Sequence, residues 1–99
     1  MKKISIEDFL PIRENRVISK ALDMSNRHPV LMSLPKNEEI GQEAYEEKMT
    51  YVLITGKIAL KVEGEEVYEP EHLESVTIPA HTLVGVRCLE DARFLMMEK

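Results

Sequence analysis

The stretch Met49–Glu69, "MTYVLITGKIALKVEGEEVYE", decides the fold of this 99-residue chain. Its first part is an apolar run that ends at Gly56, as a strand commonly does before a turn. From 58 to 62, apolar residues then occupy every second position, which is the pattern of a β-strand with one buried face. Because Gly64 interrupts this alternation and apolar residues resume behind it, the stretch predicts a strand followed by a β-hairpin.

Short apolar segments with turn signals between them flank this stretch on both sides. We predict further strands at Arg16–Met24, Val30–Leu34, Ser75–Pro79, His81–Leu89 and Ala92–Glu98. The intervening turns are predicted at Ser25–Pro29, Pro35–Glu39 and 90–92. Residues 37–49 have some helical propensity, which Gly41 interrupts. Strands this short, separated by turns at intervals of roughly 8–12 residues, are typical of an antiparallel sandwich or barrel.

Composition and charge limit the classes of function. We expect one domain, residues 1–99, because no linker appears and a hydrophobic content of 43% is enough for a core. The net charge of -5 argues against a nucleic-acid-binding surface, which needs clustered Lys and Arg. The apolar runs are far shorter than the ~20 residues that cross a bilayer, so no membrane association is expected. Cys88 is the single cysteine and cannot form an intramolecular disulfide, which favours a cytoplasmic location.

The spacing of two segments resembles the motifs of the small single-domain cupins, and the resemblance covers most of the chain from about Val17 onward. The family's first motif has two histidines and a glutamate between glycines, and it aligns with Asn37–Gly56. Its second motif supplies a third histidine and aligns with Leu73–Cys88, where His81 takes a glycine position and Cys88 an asparagine position. The family's four metal-ligand positions are occupied here by Glu43, Tyr45, Met49 and Val84.

The resemblance implies an all-β fold, a cupin-like jelly-roll β-barrel of two antiparallel sheets, preceded by an N-terminal arm at residues 1–14. It also implies where a metal would sit, and the side chains there are a carboxylate, a phenol, a thioether and an aliphatic group. Three imidazoles and a carboxylate suit divalent iron, manganese, nickel, copper or zinc, whereas this set does not. We therefore expect no metal and no other cofactor. An alternative register would take ligands from Glu46, Glu47, His72 and His81.

If the alignment is correct, several side chains should face the mouth of the barrel. These pocket candidates are Glu43, Tyr45, Met49, Tyr51, His81, Val84 and Cys88. The alternative is that they fill a closed interior, because small barrels are usually packed by side chains. Alternation also predicts that Tyr51, Leu53, Ile58, Leu60 and Val86 face inward as core. Cys88 should share their face, with Arg87 on the opposite one, and should behave as a small hydrophobe.

Two functions are compatible with such a pocket. The first is a metal-independent module that binds a small organic molecule, in a sensory or accessory role. The alternative is a metal-independent isomerase or lyase acting on a sugar or keto acid, with Glu43, Tyr45 and His81 as acid or base groups, so enzymatic activity is left open. Small cupins commonly pair through an N-terminal strand. The apolar arm "ISIEDFLPI" (Ile4–Ile12) therefore predicts a homodimer.

Overall fold

The chain was analysed as a computed structural model, which describes residues 5–14, 16–21, 29–63 and 66–98. Within these ranges it consists of one short helix and seven strands. In chain order they are α1 (Ile6–Phe9), β1 (Ile18–Ala21), β2 (Val30–Leu34), β3 (Glu39–Ala44), β4 (Met49–Val62), β5 (Glu66–Tyr68), β6 (Ser75–Ile78) and β7 (Leu83–Glu98). Every pairing between strands is antiparallel. The helix is too short to cross a membrane, and no other helix occurs in the described ranges.

The two long strands β4 and β7 form the centre of the fold and pair along their whole length, from Met49 opposite Glu98 to Val62 opposite Val84. Their register shifts between Leu53 and Ile58, where both strands bend. Gly56 lies at this bend with a φ of 81°. A Cβ there would overlap the backbone oxygen of Asp91 and lie 2.7 Å from the Cα atom of Ala92. A residue without a side chain is therefore required at this position.

All seven strands are hydrogen-bonded into one continuous antiparallel sheet. The bends of β4 and β7 divide it into two parts, which we call the front sheet and the back sheet. The front sheet has the order β1-β2-β7-β4-β6 and uses the first half of β4 with the second half of β7. The back sheet has the order β3-β7-β4-β5 and uses the other halves. The two sheets enclose one hydrophobic core, to which both contribute. The prediction of two antiparallel sheets is thus confirmed.

Two local expectations were wrong, and in both cases the pairing of β4 with β7 overrides a local signal. Gly56 does not end a strand, because β4 continues through it to Val62. Residues 90–92 do not form a turn but bend within the continuous strand β7. The segment with some helical propensity, for which no element was predicted, forms β3, which pairs with the first half of β7. The predicted strand at Arg16–Met24 is described as β1 alone, and most of the predicted turn at Ser25–Pro29 lies outside the described residues.

The residues predicted to face inward are all buried in the core cluster, namely Tyr51, Leu53, Ile58, Leu60, Val86 and Cys88. Arg87, on the opposite face of β7, is exposed and lies 3.7 Å from the carboxylate of Glu39. The period of two along β4 and β7 therefore gave the correct face in both halves of the two strands.

The N-terminal arm packs against the outer face of the front sheet, opposite the core. Leu10 is fully buried, and its carbonyl oxygen accepts a hydrogen bond of 2.7 Å from Nε of Arg93. The hydroxyl of Ser33, which pairs with Arg93 across β2 and β7, donates to the carbonyl oxygen of Pro11 at 3.0 Å. Helix α1 precedes this contact and is capped by the Ser5 hydroxyl, which accepts from the backbone N–H of Asp8. The arm is therefore packed against the front sheet of its own chain.

Candidate functional site

A cavity of about 290 Å³ opens at the end of the core where β4 begins and β7 ends. Its lining consists of Ser19, Val30, Met32, Ile40, Tyr45, Met49, Met96 and Glu98. The volume lies near the lower end of the ~300–1,000 Å³ typical of ligand pockets and corresponds to roughly ten water molecules at ~30 Å³ each. Six of these eight side chains are aliphatic, thioether or aromatic, so the cavity, which we call the mouth cavity, is mostly apolar.

The mouth cavity follows from strand alternation in the front sheet. Met49 and Tyr51 point to the core side of β4, and their cross-strand neighbours on β7 are Glu98 and Met96. Side chains directly opposite each other on an antiparallel pair share one face. The wall continues into β2, where Val30 lies opposite Met96. One face of the front sheet therefore presents both the thioethers and the carboxylate of Glu98 to the same space.

A hydrogen-bonded chain of two phenols and a carboxylate runs along one side of the mouth cavity. The hydroxyl of Tyr51 donates to that of Tyr45, which in turn donates to the carboxylate of Glu43. Tyr51 is almost fully buried, and its ring packs at 6.2 Å, centroid to centroid, on that of Phe94. A buried phenol needs a hydrogen-bond partner, and Tyr45 provides it. Sequence reasoning anticipated that Tyr51 would need such a partner but not which residue would supply it.

Both phenols of this chain stay protonated at neutral pH. Burial raises the pKa of Tyr45 to about 12, and the hydrogen bond to Glu43 and the negative charges of Glu43 and Glu98 act in the same direction. Burial also raises the pKa of Tyr51 above its ordinary value, with Tyr45 and Glu43 as further causes. Each hydroxyl is consequently a hydrogen-bond donor whose proton is hard to remove.

His81 and Val84, two of the predicted pocket residues, support the site without lining the mouth cavity. His81 is exposed in the turn before β7, where its φ is 61°. Its backbone N–H donates a hydrogen bond of 2.8 Å to the carbonyl oxygen of Tyr45, which helps to hold Tyr45 in place. Val84 is buried and pairs with Glu43 across β3 and β7.

Cys88 lies away from the mouth cavity, in the back sheet opposite Ile58. It is fully buried, and its thiol contacts the carbonyl oxygens of Leu34 at 3.2 Å and Glu90 at 2.9 Å. Burial raises the pKa of the thiol to about 11, with the charge of Asp91 as a second cause. A reactive cysteine needs a lowered pKa, so Cys88 is a core residue, as one of the two sequence interpretations expected.

The structure thus brings together Glu43, Tyr45, Met49 and Tyr51, and it adds residues that sequence reasoning did not select. The added lining residues are Ser19, Val30, Met32, Ile40, Met96 and Glu98. Met32 and Met96 stand out in the sequence only because methionine is abundant, with 6 in 99 residues. Glu98 has no local signal, because the register between β4 and β7 is what places it opposite Met49.

The described residues do not form a metal site of the kind that the family resemblance implies. Among them, no three His, Cys, Asp or Glu side chains lie close enough together to bind one ion. In the alternative register, His72 would be a ligand, but its Nδ1 lies 2.6 Å from the carbonyl oxygen of Ile54. Glu43 is the one carboxylate at the four aligned positions. A phenol with a raised pKa, a thioether and a valine do not complete a divalent site around it.

No protein-family model and no curated protein sequence matches the chain. Solved structures do. A conserved protein of unknown function from Streptococcus pyogenes has a TM-score of 0.86 at 17% identity, covering 98% of this chain and 85% of that one. A cupin superfamily protein from Desulfitobacterium hafniense has a TM-score of 0.80 at 22% identity, over 87% and 79%. An RmlC-like cupin from Desulfovibrio desulfuricans also has a TM-score of 0.80, at 18% identity over 99% and 96%.

Proposed function

We propose that this chain, whose fold is that of the cupins, is a metal-independent module that binds a small organic molecule in the mouth cavity, in a sensory or accessory role. The supporting observation is the hydrogen-bonded chain Tyr51–Tyr45–Glu43 beside an apolar space of about 290 Å³. Ligand sites combine an apolar lining with a few fixed polar groups. Here the lining is provided by the methionines and Val30, and the polar groups are already oriented.

The thioethers and the polar groups of the mouth cavity would have different roles in binding, because their chemistry differs. The thioethers adapt to ligands of different shape because their side chains are unbranched and polarisable. Tyr45 is fixed at three points, since its hydroxyl bonds to both Tyr51 and Glu43 and its carbonyl to the backbone of His81. A ligand would therefore meet a prearranged polar anchor and an adaptable apolar wall, which lowers the ordering cost of binding.

A thermal-shift and native mass-spectrometry screen against a library of small metabolites tests this proposal. We expect at least one compound to bind at a 1:1 ratio and to raise the melting temperature. Tyr45→Phe should weaken that binding, because it removes the hydroxyl between Tyr51 and Glu43. Tyr68→Phe makes the same chemical change on β5, outside the mouth cavity, and should leave the affinity unchanged. If the library yields no binder, so that the melting temperatures of the wild type and both variants stay unshifted, a binding function is excluded.

Metal independence is tested on the same preparation, purified without a histidine tag. An ion bound only by the native state at 100 times its Kd stabilises that state by ~2.7 kcal/mol, which is several degrees for a domain of this size. We expect Mn, Fe, Ni, Cu and Zn to give neither a shift nor stoichiometric occupancy. A stoichiometric metal with a clear shift would mean that the alignment at Glu43, Tyr45, Met49 and Val84 is wrong.

A metal-independent isomerase or lyase is the second candidate, supported by the hydrogen bond between Tyr45 and Glu43. Two observations rank it lower. The raised pKa values of both phenols suit hydrogen-bond donation rather than base catalysis, and His81 reaches Tyr45 through its backbone with its side chain exposed. An enzyme of this kind would lose its turnover in Glu43→Gln, and unchanged turnover in that variant would exclude Glu43 as an acid or base.

A homodimer in the cytoplasm remains part of the proposal. The arm was predicted to pair with a second copy, yet its Leu10 is buried against the chain's own front sheet. A dimer formed through the arm would therefore use the side of the arm that faces away from Arg93. Light scattering across micromolar concentrations separates the two states, and a monomer throughout that range would rule out the dimer.

A further inference from the structure

We infer that the mouth cavity selects organic cations, namely molecules that carry an ammonium group on a small apolar body. This inference rests on the proposed function and names the class of ligand. It is carried by the kind of charge at the cavity, by the chemistry of the apolar wall and by the size of the space.

The charged groups of the mouth cavity are carboxylates. Glu98 belongs to its lining, and Glu43 accepts the hydrogen bond of Tyr45 at its edge. None of the described residues that line the cavity is Lys, Arg or His. Three lysines adjoin lining residues in sequence, namely Lys20, Lys48 and Lys99. Lys20 and Lys48 are exposed and outside the lining, and Lys99 lies outside the described residues. Among the described residues, an anionic ligand would approach two like charges without a cationic partner, whereas an ammonium group would meet both with opposite charge.

The hydrogen-bonding capacity of the polar side points in the same direction. The proton of Tyr51 is directed at Tyr45, and the proton of Tyr45 is directed at Glu43. Both phenolic protons are thus engaged within the chain of bonds, while the carboxylates retain lone pairs that accept further bonds. The cavity therefore offers acceptors to a ligand more readily than donors. An ammonium group has donors and no acceptor, which matches this surplus.

The apolar wall suits a cation with an organic body. Met32, Met49 and Met96 present polarisable thioethers, and the aromatic ring of Tyr45 lies among them. The face of an aromatic ring attracts cations within ~6 Å of its centre. Three thioethers would also suit a soft ion such as Ag(I) or Cu(I). A bare ion, however, fills little of a space of about 290 Å³, so the volume favours a molecule over an ion.

Two sets of three probes, matched in shape and different in charge, test the inference. The aromatic set is benzylamine, benzyl alcohol and benzoate, and the aliphatic set is cyclohexylmethylamine, cyclohexylmethanol and cyclohexanecarboxylate. Each is titrated at pH 7 into protein with ¹³C-labelled methionine methyl groups, so that the resonances of Met32, Met49 and Met96 report binding in the mouth cavity. We expect each amine to bind about tenfold more tightly than its alcohol, each carboxylate to bind most weakly, and the preference to fall with added salt.

A matched pair of variants assigns the preference to the site. Glu98→Gln should weaken the binding of benzylamine about fivefold and leave benzyl alcohol unaffected. Glu90→Gln makes the same change on the same strand, at the bend beside Lys57, and should leave both affinities unchanged. Both glutamates are exposed, so neither substitution should impair folding.

The outcomes separate this inference from the proposed function. Alcohols or carboxylates that shift the same methionine resonances with affinity equal to the amines would overturn the inference and leave the binding function intact. A response to Ag(I) in place of a response to the amines would overturn it in favour of a thioether metal site. If none of the six probes shifts any of the three resonances, the mouth cavity does not take ligands and both proposals fall.

Discussion

The two halves of the strand pair β4–β7 are built from the same alternating pattern but enclose different interiors. In the far half, at 58–62 and 84–88, Ile58, Leu60 and Cys88 are 0% exposed and the core is closed. In the mouth half, at 49–53 and 94–98, Met96 is half-buried and the interior leaves about 290 Å³ open. Alternation thus decides which side chains face inward, but the size and polarity of those side chains decide whether the interior is filled.

The two halves are also held by different bonds. The far half is fixed by backbone contacts, since Cys88 exchanges hydrogen bonds of 2.9 Å with the backbone of Asn37 and Glu38, and Gly56 packs against Asp91. In the mouth half, side-chain bonds between Tyr51, Tyr45 and Glu43 add to the backbone bonds of the strands. Side-chain bonds can be altered one at a time without changing the backbone. We therefore expect substitutions in the far half to affect stability and those in the mouth half to affect ligand binding.

The largest expected effect comes from the bend between the halves. Gly56→Ala places a Cβ against the backbone of Asp91 and Ala92 at a φ of 81°, and we expect a loss of ~3 kcal/mol or more, or no folded protein. Gly41→Ala is the control, because a Cβ there meets nothing within 4 Å, and it should be neutral or stabilising by ~0.5 kcal/mol. Urea unfolding followed by circular dichroism measures both. Equal stability of the two variants would show that the bend does not require glycine.

The next largest effects are losses of stability when one side chain from each half is truncated. Leu60→Ala removes a fully buried side chain from the closed core and should cost ~2–5 kcal/mol. Met96→Ala removes a half-buried side chain that already borders a cavity, and we expect a cost of ~1 kcal/mol. The measurement is the same unfolding curve, with m-values checked for constancy. A larger cost for Met96→Ala than for Leu60→Ala would mean that the mouth half is packed as tightly as the far half.

A pH effect on stability should come from the far half. The pKa of Cys88 is raised from its ordinary value near 9.0 to about 11, so the unfolded chain loses this proton first as the pH rises. The raised pKa of Cys88 contributes on the order of 2 kcal/mol to the free energy of unfolding. This contribution is complete below about pH 9 and should be lost by about pH 11. Cys88→Ser keeps a hydroxyl near Leu34 and Glu90 but does not titrate there. Stability curves of wild type and variant that run parallel from pH 8 to 11 would contradict this.

The smallest effect is expected at the buried phenol of the mouth half. Tyr51→Phe removes the hydroxyl that donates to Tyr45 but keeps the ring that packs on Phe94. We expect a loss of ~1 kcal/mol. The pKa of Tyr45 should stay high or rise further, because burial and Glu43 raise it and the hydrogen bond with Tyr51 lowers it. Ultraviolet titration of the remaining tyrosines measures the pKa. A pKa of Tyr45 that is lower in this variant than in the wild type would contradict this expectation.

Local pattern predicted much of the fold and about half of the site. The alternation at 58–62 and 84–88 identified the inward faces correctly, and the family resemblance implied the position of Tyr45 and Met49, which line the mouth cavity. The strand limits were less accurate. Gly56 and residues 90–92 carry turn signals, yet both lie in bends of continuous strands. The sequence does not distinguish a glycine that ends a strand from one that lets a strand bend. The difference lies in which residues pack against that glycine.

Residue order alone determines the inward faces of β4 and β7 and the absence of three imidazoles at the aligned positions, because alternation and side-chain chemistry are local properties. It does not determine the mouth cavity and the position of Glu98. They depend on the register of β4 on β7, which sets Met49 opposite Glu98 and Tyr51 opposite Met96. Register is determined by packing across the whole sheet, so these contacts between residues more than forty positions apart arise only when the chain has folded.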